Sequence, residues 1–201
     1  TVTPKPTVAN AGTDLQFCGS PTTIPLTGNT PTVGTGSWIL ITQPSGGSAS
    51  IAGSGPSASL VNPSIEGIYV AEWRISNGPC PVSSDQMQIQ VFNNSGGGTV
   101  TSSATVCSGT NAGTLSLTGQ KGTILRWESS TNNFLPGFIT VIPNTLTNLS
   151  YSGLTQTTQY RAIVKAGACP EAASTFVTIS VQPVGTIASA GANQILCGSQ
   201  V

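Results

Sequence analysis

The reactive side chains of this sequence are five cysteines and six carboxylates, with no histidine among its 201 residues. A serine or cysteine nucleophile needs a neighbouring base to take its proton, and here no imidazole can serve. Two convergent carboxylates could hydrolyse a glycosidic bond. Asp14, Glu66, Glu72, Asp85, Glu128 and Glu171 are scattered along the chain, however, and nothing in their spacing brings two to one cleft. They read as surface and turn acids, and the chain reads as no enzyme. Calcium needs only oxygen ligands, and Asp14 and Glu66 are its only seeds in the first half. Asn193 replaces Asp14 in a later copy of the same motif, so a repeated charged site is not expected. Cysteines without histidine argue against zinc and for disulfides in an oxidising compartment. No cofactor is expected.

The cysteines are spaced as a repeat. Cys18 and Cys80 are 62 positions apart, and so are Cys107 and Cys169. Each first cysteine is followed 20 residues later by a tryptophan, Trp38 and Trp127. Each second cysteine follows a tyrosine-bearing stretch, Tyr69–Trp73 and Tyr160–Val164. These agreements imply two consecutive modules of about 90 residues on one plan. The expected bridges lie within modules, Cys18 to Cys80 and Cys107 to Cys169. Tyr69 lies eleven residues before Cys80, and Tyr160 nine before Cys169. Each bridge should therefore pin the first strands to the turn after the tyrosine strand, at one end of the module. Closing a 62-residue loop contributes about 4 kcal/mol in the chain-entropy model. Thr7–Ser20 recurs as Thr186–Ser199, identical at seven of fourteen positions. Cys197 thus corresponds to Cys18, and its expected partner lies outside this sequence. The alternative is a free thiol or an intermolecular bridge.

The elements that must position these residues are short strands. Gly67–Ser76 puts Tyr69, Ala71 and Trp73 on one face by period two. Asn77-Gly78 reads as a tight hairpin turn, and Ser84–Phe92 alternates back. In the second module Val100–Cys107, Gly113–Thr118, Thr123–Ser129, Thr158–Lys165 and Ser174–Gln182 read as strands. With no helical periodicity, this is an all-β chain of two tandem β-sandwich modules, each with one intramodule disulfide. Residues 1–6 are the end of a preceding module or a linker, and 7–93 form the first sandwich. Residues 94–99 are a linker, 100–183 the second sandwich, and 184–201 the start of a further repeat. Residues 1–6 carry neither a basic start nor an apolar core, so an export signal is expected elsewhere in a longer chain.

Trp38, Tyr69, Trp127 and Tyr160 read as core anchors, a tryptophan burying on the order of 200 Å². Phe134 and Phe138, beside Asn and Gly, form a weak candidate edge for a carbohydrate ligand, although Phe138 also suits the sandwich edge. Asn93-Asn94-Ser95 and Asn148-Leu149-Ser150 fit the eukaryotic glycosylation pattern. Charged residues make up only 6% of the chain, six of each sign, against about 25% in average proteins. Nucleic acid and anionic membranes are therefore poor partners. No apolar run reaches the roughly 18 residues of a membrane helix.

Trp38, Pro44–Gly47, Tyr69 and Trp73–Asp85 (WRISNGPCPVSSD) resemble the PKD-like modules of Bacteroidetes surface proteins. Ala104–Gly109 (ATVCSG), Gly113–Gly119 (GTLSLTG), Leu125–Ser130 (LRWESS) and Leu154–Ala162 (LTQTTQYRA) resemble the Ig-like repeats that alternate with them. Such arrays occur in giant surface adhesins exported by type IX secretion, including gliding-motility adhesins, and as spacers in large secreted enzymes. The resemblance implies an extracellular place at the bacterial cell surface. It implies a structural repeat unit, or shaft, that transmits tension and extends a distal adhesive region. Its partners would be neighbouring repeats of the same chain, with surface polysaccharide met only through distal regions. The alternative is a spacer or carbohydrate-binding accessory segment of a large polysaccharide-degrading enzyme.

Overall fold

The structure, a computed structural model, describes residues 2–185. Cys197 and the expected further repeat from residue 186 onward lie outside the described residues. Two separate hydrophobic cores organise the described residues, one built from residues between Ala9 and Val91 and one from residues between Val100 and Ile179.

The first module holds β1 (Leu15–Cys18), β2 (Thr23–Pro25), β3 (Thr35–Thr42), β4 (Ser50–Ala52), β5 (Ser59–Val61), β6 (Gly67–Ser76) and β7 (Ser83–Phe92). One sheet runs β1-β7-β6-β3 and the facing one β2-β5-β4. Alternation along β6 sends Tyr69, Ala71, Trp73 and Ile75 into the core, and all four are fully buried. Trp38 stands opposite Trp73 in the β3–β6 register, with ring centroids 5.2 Å apart. Both indoles keep a hydrogen-bond partner, as buried ones should: Trp38 Nε1 donates to Pro56 O and Trp73 Nε1 to Asn29 Oδ1.

The second module holds β8 (Thr99–Thr101), β9 (Ala104–Cys107), β10 (Ala112–Thr118), β11 (Thr123–Ser130), β12 (Ile139–Ile142), β13 (Asn148–Ser152), β14 (Thr158–Lys165), β15 (Ala172–Ala173) and β16 (Val177–Gln182). One sheet runs β12-β11-β14-β16-β9 with β15 beside β14, and the other runs β13-β10-β8. Trp127 fills the core and donates from Nε1 to Leu146 O at 3.0 Å. Tyr160 is buried and stacks on Tyr151 with centroids 6.2 Å apart. Burial, and secondarily the Tyr151 hydroxyl, pushes its pKa above the ordinary tyrosine value.

Three local readings of the sequence are corrected. Val100–Cys107 is two strands in opposite sheets, because Ser102 takes a left-handed conformation (φ 82°) and passes the chain across. Leu15–Cys18 is an additional strand, pairing in parallel with the end of β7. The Asn77-Gly78 step is no two-residue hairpin: the link from β6 to β7 spans Asn77–Val82, and Cys80 N donates to Asn77 O within it.

Candidate functional site: the bridged junction

The intramodule disulfides are corrected by the structure. Cys18 is bonded to Cys169 of the other module, with Cα atoms 4.9 Å apart. Among the described residues, Cys80 and Cys107 have no sulfur partner. The reason is the direction of β7. Ser83 at its start lies just after the Cys80 turn, whereas Phe92 at its end pairs with Cys18 in the β1–β7 register. Ten residues of strand put about 33 Å between these poles, while a disulfide tolerates Cα separations of only about 4.4–6.8 Å. The shared spacing of 62 therefore marks equivalent places in two modules, at opposite poles of each.

The pole carrying Cys18 meets the pole carrying Cys169. Gly19 N donates to Phe92 O at 2.8 Å, fixing the Cys18 end of β1 beside the end of β7. Cys169 is fully buried in the turn after β14, where its N donates to Ala166 O at 2.8 Å. Ala166 N donates to Ser95 Oγ at 2.9 Å, and Gly96 and Lys121 exchange two backbone hydrogen bonds of 2.8 and 3.0 Å. The linker is thus sewn onto the second module. Gly167, two residues before Cys169, has φ 48°, a conformation suited to glycine. A Cβ there would fall 2.3 Å from the Phe92 ring. Glu66, Asn93, Lys121 and Lys165 line a cleft of about 400 Å³ beside this contact.

The carboxylates are engaged in holding the fold. Asp85 accepts from Ala11 N at 2.7 Å, Asp14 from Gln88 N at 2.8 Å and Glu66 from Asn93 Nδ2 at 2.7 Å. Reading all six as surface acids is corrected for two of them, because Glu72 and Glu128 are buried. Each points from the outer face of its sheet and is covered by cross-strand neighbours. Glu72 pairs with Arg74 and accepts from Gln86 Nε2. Glu128 lies between Arg126 Nε at 2.9 Å and Arg161 Nη2 at 2.7 Å, and Glu171 caps Arg126 at 2.9 Å.

The two phenylalanines of the candidate edge differ in their surroundings. Phe134, half-buried with φ 56°, lies under the Arg161 guanidinium at 4.1 Å and near Phe176 at 6.0 Å between centroids. Phe138 is exposed, so it does not fill the sandwich edge. Trp38, Tyr69, Trp127 and Tyr160 are all buried.

A family model described as a domain of unknown function (DUF8696) matches residues 96–183, the span of the second module. The search of curated proteins finds no match. Among solved structures, four immunoglobulin domains of Sidekick-1 superpose with a TM-score of 0.57 at 13% identity, covering 88% of this chain and 48% of that one. A three-Ig structure of titin gives a TM-score of 0.54 at 16% identity, covering 91% of this chain and 67% of that one. Murine CEACAM1b gives 0.52 at 14% identity, covering 83% and 96%. At these identities the likeness is one of fold: the chain is a tandem of Ig-like β-sandwiches.

Proposed function

We propose that this chain is a structural repeat unit of a long extracellular shaft, working by holding its length under tension. The observation that carries the reading is the disulfide between modules. Cys18–Cys169 ties two folded bodies end to end across a linker already hydrogen-bonded to one of them. A spacer needs that rigidity, and the disulfide suits an oxidising extracellular location. The six carboxylates all serve internal hydrogen bonds or ion pairs, which supports a non-enzymatic role.

The sequence resemblance to alternating PKD-like and Ig-like repeats extends the proposal. The parent would be a bacterial cell-surface adhesin of the Bacteroidetes type, exported by type IX secretion, with gliding motility as one setting. Partners would be neighbouring repeats, and adhesion would belong to distal regions. An antibody raised to this chain, used to size the native polypeptide in a cell-surface fraction, tests the reading. A species of many hundreds of kilodaltons supports a long shaft. A species no larger than one enzyme with a few modules would overturn it, in favour of an accessory segment of a secreted polysaccharide-degrading enzyme.

A further inference from the structure

Cys80 and Cys107 each occupy the place that a bonded cysteine occupies in the other module. Cys107 ends β9 opposite Gln182, as Cys18 ends β1 opposite Phe92. Ser108 N donates to Gln182 O at 2.8 Å, as Gly19 N donates to Phe92 O at 2.8 Å. At the other pole, Cys80 N donates to Asn77 O as Cys169 N donates to Ala166 O. Gly78 (φ 56°) precedes Cys80 by two residues, as Gly167 (φ 48°) precedes Cys169. The sulfur of Cys80 lies 3.4 Å from Pro4 O, in the segment leading into its module. Cys169 Sγ likewise lies 3.2 Å from Asn93 O, in the segment leading into its own.

The bonded junction is therefore a template, and both outer poles repeat its halves. We propose that Cys80 and Cys107 are half-bridges to flanking modules of the same plan. The first cysteine of each module bonds the second cysteine of the module that follows, giving a shaft with one disulfide at every junction. The exposure of Cys107 and the partial exposure of Cys80 leave both thiols open to a partner. This rests on the tandem-array reading only in requiring neighbours of the same plan.

Bond formation releases two electrons and two protons from the thiols, so it needs a disulfide oxidant. With oxidised glutathione, the Cys107 thiolate attacks one glutathione sulfur and expels one reduced glutathione. The Cys80 thiolate of the neighbour then displaces the second, so one disulfide is consumed and one is formed.

The test uses two forms of the whole chain, both with Cys197→Ser. One also carries Cys107→Ser and keeps Cys80; the other carries Cys80→Ser and keeps Cys107. Neither change touches the Cys18–Cys169 bond. They are incubated in a glutathione redox buffer, alone and mixed, at about 1 mM, the effective concentration a short linker supplies. The mixture should form a covalent heterodimer at least about tenfold faster than either form makes a homodimer, a preference equal to about 1.4 kcal/mol of docking. Peptide mapping should find Cys107 joined to Cys80. Homodimers forming as fast as heterodimers, or glutathione-capped monomers throughout, would overturn the proposal. Neither result bears on the size of the native polypeptide, so the two readings fail separately.

Discussion

Cys18 and Cys169 are bonded across 151 residues of sequence, which makes their disulfide a covalent bypass around nearly all of both modules. Tension applied at the two ends of the chain runs to Cys18, crosses the bridge and leaves from Cys169. Strands β2 to β14 lie off that path. In a single-molecule pulling experiment, the oxidised chain should withhold these residues at any force that leaves the disulfide intact. Reduction should release about 510 Å of contour, at about 3.4 Å per residue. Bridges within the modules would instead have withheld two separate stretches of about 200 Å. Equal extension with and without reductant would refute the bypass.

The contact of Phe92 with Gly167 sets how tightly the junction closes. Gly167→Ala places a Cβ against the ring and imposes a left-handed backbone on an L-residue, which alone costs about 1–2 kcal/mol. Neither residue belongs to the two main cores. The expected effect is a junction that opens more often, with Cys18–Cys169 reduced about tenfold faster by dithiothreitol. Adding Phe92→Ala should restore part of the protection by removing the clash. A single variant reduced no faster than the parent would show that the contact does not guard the bridge.

The separateness of the cores has its own consequence. Trp127 is fully buried among residues of the second module alone. Trp127→Ala should cost about 3–5 kcal/mol, a large part of a small module's net stability. Amide exchange in β11 and β14 should rise steeply, while β6 and β7 stay protected. Loss of protection in both modules together would show one cooperative unit instead of two.

The sequence was most legible where one residue's surroundings depend on strand period alone. Tyr69, Ala71 and Trp73 alternate into the core as their parity requires, and Tyr160, Ala162 and Val164 do the same on the equivalent strand of the second module. Pairing between distant residues was not legible. A spacing of 62 measures the repeat, and the repeat is satisfied whether Cys18 faces its own module or the next. Only the parallel pairing of β1 with β7 decides, because it carries Cys18 to the pole away from Cys80. No glycine or proline marks Ser102, where the chain changes sheets. Glu72 and Glu128 were hidden for a related reason. Their parity points them outward, and their burial comes from partners on the next strand, Gln86 opposite Glu72 and Arg161 opposite Glu128. Register of that kind is set by the whole sheet.

Glu72 should make the first module sensitive to acid. The Gln86 amide, then the Arg74 guanidinium, holds its carboxyl below the usual value. An unfolded glutamate titrates near about 4.3. Because the folded value is lower, the charged form favours the folded state, and its contribution is complete above about 4.3. As pH falls through the folded value, the carboxylate takes up a proton and that contribution disappears. Glu72→Gln keeps the side chain's shape and removes the charge, so it should lower the urea midpoint for β6–β7 amide exchange at neutral pH. The gap between variant and parent should then shrink as pH drops below about 4. A gap that stays constant with pH would mean that the Glu72 charge contributes nothing, and that the variant acts through packing alone.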